Sequence, residues 1–409
     1  MSAKRLMATL GAVLGLLVSG TAIAAQDATP AAAPGAAPPL PAGCSVVASG
    51  LLDPRYIAVA PDGTIYISEA GKGGDEVITP PDAGATPVAN PSESPADTRG
   101  FTGQVTKVAP DGTQSVLATG LPSYAMGGVE TTGPAGIDLA PDGTIILAVG
   151  GAGPATAFTD SLPSENSVVS IDPATGDVTV LADIGAYERN VNPEPTDVDS
   201  NLYGVAVGDD GTIYVNDAGG NTTYTVPAGG GDPTVLAVHP ELPLPEGMQA
   251  PPGVTGLDPV PTGIAAVDGA VIVGYLSGGP FPAGAAKIVS VGLDGTISDV
   301  ATGLTMVVDV ATGPDGQLYA TEISTDFLSQ PPAAGNVVRV LGDGTNEVVL
   351  DGVMFPNGIA FDQDGNLLVA IGTVGGNGQV LRCEGIAQTA ASGEGEVVVA
   401  LKDVFFRPI

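Results

Sequence analysis

One internal repeat constrains the fold of this chain more than any other feature of its sequence. Each copy has two apolar runs, rich in Val, Ile and Tyr, on either side of an Asp-Gly pair. Because Asp and Gly tolerate the left-handed backbone of a tight turn, each copy predicts an antiparallel β-hairpin. The copies occupy residues 53–71, 133–151, 200–220, 260–278, 306–324 and 355–372.

A second hairpin follows most copies of the repeat. These hairpins occupy residues 103–121, 166–183, 221–238, 286–304 and 335–353, and the third is a looser copy. Two hairpins in succession make four antiparallel strands, which repeated radially are the blades of a β-propeller. A β-helix or two sandwiches would not explain paired hairpins. We therefore predict an all-β, six-bladed β-propeller of four-stranded antiparallel blades.

The two ends of the repeat region predict how the ring closes. Residues 44–51 resemble a fourth strand that lacks its own blade, and residues 378–383 resemble a third strand. We therefore predict that the N-terminal strand completes the sixth blade, although residues 396–401 also resemble a fourth strand and compete for that edge. Cys44 and Cys383 would then lie on neighbouring strands. In an exported chain they predict a disulfide, with two buried free thiols as the alternative.

The N-terminus predicts export of the protein. Residues 1–25 combine two basic residues, an apolar stretch and an Ala-x-Ala cleavage site, which is typical of a signal peptide; an uncleaved anchor is the alternative. Residues 26–43 form an Ala/Pro-rich linker, 44–384 the propeller and 385–409 a C-terminal extension. We expect a secreted or extracytoplasmic monomer without stable membrane insertion of the mature chain.

The charge balance restricts the partners. The chain has 12 Lys and Arg against 45 Asp and Glu, a formal net charge of −33. Such a field repels nucleic acid and anionic lipid surfaces, whereas it is compatible with cations, basic proteins and neutral small molecules. The single histidine, His239, is interpreted as a loop residue next to Pro240, which disfavours histidine-based catalysis.

Several segments resemble the ScyD/ScyE family of exported six-bladed propellers, which are related to NHL-repeat and TolB-like propellers. The most specific are residues 186–193 with 198–204, supported by 99–103, 216–221 and 278–286. The resemblance covers about residues 48–384 and implies an extracytoplasmic propeller without a defined activity. The Pro/Ser/Ala-rich loop 75–98 and the tail after Cys383 depart from the family.

Four carboxylates are predicted to converge at the mouth of the central channel. Glu69, Asp217 and Glu322 end second strands, and Asp309 stands where four other repeats have Gly. Carboxylate oxygens are the ligands that calcium prefers, and related gluconolactonase-like hydrolases use a similar acidic site. These residues are therefore the candidate ligands of a possible Ca²⁺; strand capping is the alternative.

Other polar residues near the same mouth are candidate ligand contacts. These are Tyr187, Arg189, Asn201, Tyr203, Thr262 and Asn357. We predict a binding scaffold that uses its long-loop face to hold an unknown small molecule or extracytoplasmic protein. The alternative function is a calcium-dependent hydrolase or lactonase with a carboxylate-lined channel, so the sequence leaves open whether the protein is an enzyme.

Overall fold

The computed structural model confirms the six-bladed, all-β propeller. It describes residues 40–78, 97–127, 130–151, 161–195, 198–248, 254–342, 344–373 and 377–387. The predicted signal peptide, nearly all of the linker, residues 79–96 of the first long loop and the competing strand 396–401 lie outside the described residues. Within the described ranges, no helix has the length and apolar character needed to cross a membrane.

Blades one to three follow the chain from Pro54 to Val238. Blade one contains β2 (Pro54–Val59), β3 (Ile65–Glu69), β5 (Thr98–Val108) and β6 (Gln114–Met126), with the short β4 (Glu76–Val77) and β7 (Glu130–Thr132) at one end. Blade two contains β8 (Pro134–Leu139), β9 (Ile145–Val149), β10 (Ser167–Ile171) and β11 (Val178–Asp183). Blade three contains β12 (Leu202–Val207), β13 (Ile213–Asp217), β14 (Thr222–Val226) and β15 (Thr234–Val238).

Blades four to six complete the ring. A short pair, β16 (Leu242–Pro243) and β17 (Gly256–Leu257), precedes blade four, which contains β18 (Pro261–Val267), β19 (Ala270–Tyr275), β20 (Ala286–Gly292) and β21 (Ile297–Leu304). Blade five contains β22 (Val307–Thr312), β23 (Leu318–Glu322), β24 (Gly335–Val340) and β25 (Asn346–Val353). Blade six contains β26 (Ile359–Phe361), β27 (Leu367–Ile371), β28 (Gly378–Cys383) and the N-terminal β1 (Cys44–Leu51).

The Asp-Gly turns form as their chemistry predicts. In blade one, the Oδ1 atom of Asp62 accepts a hydrogen bond of 2.9 Å from the Thr64 amide, and Gly63 has a φ of +86°. A φ in this region favours glycine because a Cβ atom would be strained there. Such turns join strands one and two of a blade, so the connections from second to third strands and between blades lie on the opposite, long-loop face.

Ring closure by the N-terminal strand is confirmed. Strand β1 pairs antiparallel with β28, and Cys44 lies opposite Cys383 in this register. The two cysteines form a disulfide. Apolar side chains of neighbouring blades pack against each other, as Ile67 of blade one packs in one cluster with Leu368 of blade six. The hydrophobic core therefore lies between blades and leaves the centre of the ring to the first strands.

One helix lies in the connection between blades two and three. Helix α1 (Ile184–Val191) follows β11 directly, and Asp183 caps it by accepting a hydrogen bond of 2.7 Å from the Ala186 amide. The helix therefore belongs to the long-loop face, where two candidate ligand contacts, Tyr187 and Arg189, were predicted.

Candidate functional site

The first strands of the six blades contact one another around the central channel. Each begins at the long-loop face, so residues at the same repeat position form a ring at the channel mouth. The ring that precedes the recurring glycine consists of Arg55, Ala135, Tyr203, Thr262, Val308 and Asn357. Four of these six side chains are polar, whereas the residues directly after the glycine position are all Ile or Val.

The recurring glycines are explained by the close approach of neighbouring first strands. A Cβ atom on Gly204 would lie 2.1 Å from the carbonyl oxygen of Thr262, and one on Gly358 would lie 2.4 Å from that of Arg55. Such distances are too short for any side chain. The mouth is therefore narrow, and its shape depends on glycine at these positions.

Tyr56 and Asp309 occupy the glycine position in blades one and five. The Tyr56 hydroxyl donates a hydrogen bond of 2.6 Å to the carbonyl oxygen of Val308. The Asp309 carboxylate accepts hydrogen bonds of 2.8 and 2.7 Å from the amides of Val310 and Ile359, which belong to adjacent blades. Burial raises the pKa of Asp309 well above its usual range. Both side chains thus link first strands inside the channel.

Tyr203 closes the mouth above these two residues. Its hydroxyl oxygen accepts a hydrogen bond of 2.9 Å from the Asn357 amide group, and the Arg55 guanidinium lies 3.5 Å away. Its ring makes an edge contact with Tyr56 at a centroid distance of 5.8 Å. The structure therefore brings together two predicted ligand contacts, Tyr203 and Asn357, from blades three and six.

Arg55 is the functional residue that sequence reasoning missed. Its guanidinium is 9% exposed, lies 3.3 Å from the Asp53 carboxylate and donates to the carbonyl oxygen of Thr131. Its repeat position is the same as that of Thr262 and Asn357. That register was the signal that would have placed Arg55 at the mouth.

A small recess adjoins Arg55 at this mouth. Its volume is about 10 Å³. It is lined by Arg55, Thr131, Thr132, Gly133, Pro134, Ala135, Asn201, Leu202 and Tyr203. The hydroxyls of Thr131 and Thr132 are buried and have no hydrogen-bond partner among the described residues, and the same holds for the Asn357 side-chain oxygen. The mouth therefore contains polar atoms whose hydrogen-bonding capacity is unused.

The carboxylates of the predicted metal ligands accept hydrogen bonds from backbone amides. Glu69 accepts a hydrogen bond of 2.6 Å from the Leu52 amide, and Glu322 accepts one from the amide of Thr305. Asp217 accepts bonds of 2.7 Å from the Asn201 amide and 3.1 Å from two glycine amides. Within the described ranges, no three Asp, Glu, His or Cys residues lie close enough to hold a metal ion. The structure therefore does not bring the four carboxylates together.

The remaining predicted contacts have structural partners. The Thr262 hydroxyl donates to the carbonyl oxygen of Val307 at 2.7 Å and so links blades four and five. The Tyr187 ring packs edge-on against Tyr224 at 5.7 Å. Arg189 is exposed on α1, whereas Asn201 lines the recess.

One residue of helix α1 is a buried glutamate. Glu188 is fully buried on α1 and accepts a hydrogen bond of 2.9 Å from the Tyr224 hydroxyl. Burial, with a further contribution from the charge of Asp217, raises the pKa of Glu188 to about 7. This contact fixes α1 on blade three, so the helix forms a side wall of the long-loop face.

A larger cleft of about 250 Å³ lies between blades three and four. His239 forms one wall, and Glu194, Glu241 and Asp258 also line it. His239 lies in the connection that follows β15, as the sequence predicted, and it is buried there. Its two ring nitrogens contact the hydroxyls of Tyr275 at 2.8 Å and Thr223 at 2.7 Å. Both nitrogens are thereby engaged within the protein.

Comparisons with known proteins agree with the propeller fold. Residues 266–404, in the last part of the chain, match the family model described as SMP-30/Gluconolactonase/LRE-like region. A protein of unknown function from Bacteroides thetaiotaomicron is 11% identical, with 83% of this chain and 75% of that chain covered and a TM-score of 0.50. A gluconolactonase from Xanthomonas campestris is 14% identical, with 83% and 89% covered and a TM-score of 0.48. No curated protein matches the sequence.

The similarity to the Bacteroides thetaiotaomicron structure concerns the fold alone, because the two sequences are only 11% identical. The match to the family model covers blade five, the strands of blade six other than β1, and most of blade four. The resemblance to the ScyD/ScyE family stays a prediction.

Proposed function

We propose that this protein is an exported binding propeller that holds a small polar ligand at the mouth of its central channel. The observation that carries the proposal is the meeting of Arg55, Tyr203 and Asn357 at one hydroxyl group. These residues come from blades one, three and six. Side chains that converge from separate elements on a rigid scaffold are typical of ligand sites.

The unused hydrogen-bonding groups support the same proposal. A buried polar group without a partner costs about 1–3 kcal/mol of folding free energy. The buried side-chain oxygens of Thr131, Thr132 and Asn357 carry such a cost around one mouth. A ligand with complementary polar groups would offset that cost.

The long connections begin and end on the same face as the proposed site. The segments between β3 and β5, between β9 and β10, and between β15 and β18 all leave the ring on the face where the first strands begin. Long loops on a rigid framework are where binding function concentrates. The ligand would therefore lie on the channel mouth, on the same face as these connections.

A thermal-shift screen tests this proposal. The panel comprises small carboxylates, phosphates, neutral sugars, lactones and amines at constant ionic strength. We expect at least one class to raise the melting temperature saturably, because a ligand that binds only the folded state stabilises it by mass action. Tyr203→Phe, which removes the shared hydroxyl, should weaken that effect, whereas Thr113→Val in an exposed turn on the opposite face should not. A panel without any saturable effect contradicts the proposal, as does equal binding by Tyr203→Phe.

The second candidate function is lactone hydrolysis with calcium, favoured by the family match over residues 266–404. All four predicted ligands accept hydrogen bonds from backbone amides, which supports binding over catalysis; they are Glu69, Asp217, Asp309 and Glu322. The test measures hydrolysis of a lactone panel after chelation and after addition of calcium. Turnover that requires calcium and is lost in Asp309→Asn would establish the hydrolase; absence of turnover in both conditions would eliminate it.

A further inference from the structure

We infer that the recess beside Arg55 is an anion subsite, which receives the carboxylate group of the ligand. The inference rests on the proposed function, since it names the chemical class of ligand that the mouth would hold. It depends on three features of the recess: its charge, the hydrogen-bond donors around it and its size.

The one charged residue that lines the recess is a cation, in a protein whose net charge is negative. Among its lining residues Arg55 is the only charged one, whereas the whole chain has a formal net charge of −33. The guanidinium is nine-tenths buried, so its interaction with an anion would be screened less than on the surface. Asp53 lies 3.3 Å from the Nη2 atom and does not line the recess. The other terminal nitrogen, Nη1, is directed to Tyr203, which does line it.

Residues with hydroxyl groups line the same space. The Thr131 side chain is 8% exposed, and its hydroxyl has no partner among the described residues; the hydroxyl of Thr132 is in the same state. The Tyr203 oxygen accepts from Asn357 and from Arg55, and Tyr203 also lines the recess. Two hydroxyls without a described partner and a guanidinium belong to residues that line one recess, and an anionic oxygen is an acceptor that such donors can satisfy.

The size of the recess favours a carboxylate. Its volume of about 10 Å³ is close to that of a single water-sized probe, so it admits one oxygen atom of a ligand. A planar carboxylate can insert one oxygen and leave the other at the rim. A tetrahedral phosphate presents three oxygens and needs a wider site. The rest of the ligand would lie outside the recess, toward the long connections.

Acetate is the probe that tests the inference, because it is little more than a carboxylate group. Melting temperatures are measured during titrations with acetate, with its neutral isostere acetamide, and with inorganic phosphate, with chloride holding ionic strength constant. We expect acetate to raise the melting temperature saturably, and acetamide and phosphate to have no such effect. An acetate effect equal to that of chloride overturns the inference, as does a stronger effect of phosphate or acetamide.

Two variants locate the effect at the recess. Thr131→Val keeps the shape of the side chain and removes one donor, and we expect it to weaken acetate binding about tenfold. Arg55→Gln should abolish the acetate effect; if it does not fold, Thr131→Val alone decides. Thr113→Val, on the opposite face, is the matched control and should bind acetate normally. Unchanged acetate binding by Thr131→Val would overturn the inference.

The results also separate this inference from the proposed function. If a neutral compound of the panel binds and Tyr203→Phe weakens its binding, the binding propeller stands and the carboxylate assignment is wrong. If no compound of any class binds, both are wrong.

Discussion

Acidification should destabilise the ring through His239. The imidazole is 3% exposed, and its neutral form satisfies both nitrogens. Thr223 donates its hydroxyl proton to Asn216 at 2.6 Å, so its oxygen accepts from the Nε2–H group of His239, and the Tyr275 hydroxyl donates to Nδ1. A second proton has no place in this arrangement. Burial lowers the pKa of His239 from 6.5 to about 3.

The size of the effect follows from the two pKa values. Between pH 6.5 and 3 the unfolded chain binds a proton at this histidine that the folded ring does not. The stability that depends on neutral His239 is therefore fully present above pH 6.5 and is lost as the pH falls from 6.5 toward 3. Between pH 7 and pH 5 the loss amounts to about 2 kcal/mol, at about 1.4 kcal/mol for each pH unit below 6.5.

The assay compares the wild type with His239→Gln. Glutamine can retain a donor toward Thr223 but does not titrate. Burial raises the pKa of Asp217 and Asp309, so these carboxylates change the stability with pH in the opposite direction, and the comparison cancels them. The free energy of unfolding is measured in urea at pH 7 and pH 5. We expect the wild type to lose about 2 kcal/mol more than the variant. Equal losses in the two proteins would refute the reasoning.

Three further predictions concern the ring. Replacing Cys44 and Cys383 by Ser should lower the free energy of unfolding by several kcal/mol, about 5 at most, because the bridge spans 339 residues; an unchanged urea midpoint would count against it. Gly204→Ala should destabilise by about 1–3 kcal/mol because its Cβ would meet a backbone carbonyl at 2.1 Å, whereas Gly208→Ala, whose nearest neighbour is a side-chain atom at 3.2 Å, should cost less in the same melts. Asp309→Asn places a side-chain NH₂ group against a backbone N–H and should lower the free energy of unfolding by about 1–3 kcal/mol. Wild-type stability of this variant would show that the two hydrogen bonds from backbone amides contribute little.

The fold was predictable because its signals are local and repeated. Each Asp-Gly turn fixes a hairpin by its own chemistry, and six copies reinforce the same interpretation. The incomplete strands at residues 44–51 and 378–383 fixed the closure, since each lacked a partner that the other supplies.

The candidate site was less predictable because backbone register does not fix the direction of a side chain. Glu69 and Glu322 end second strands as predicted, but each carboxylate turns to a backbone amide of the preceding connection. The donors, Leu52 and Thr305, each follow a Gly-Leu pair at the same repeat position, but the sequence does not show that the carboxylates turn toward them. Asp309 departs from the repeat as the sequence showed, and only the structure reveals that it joins blades five and six.

Arg55 and His239 show two further limits. Arg55 follows a turn, where a charged side chain is ordinarily exposed. Its repeat position nevertheless matches that of Asn357. The partners of His239 lie 16 and 36 residues away in other strands, so nothing near it in the sequence indicates burial. In both cases the decisive contacts are made between blades.

Binding at the channel mouth is tested most directly by an amide-resolved NMR titration of the protein with the strongest compound of the thermal-shift panel. The proposed site predicts saturable shifts concentrated in residues 53–56, 131–135, 201–203 and 357, with none at the Asp-Gly turns on the opposite face. Shifts centred on those turns would contradict the proposed function, and so would a titration without saturable shifts at the mouth.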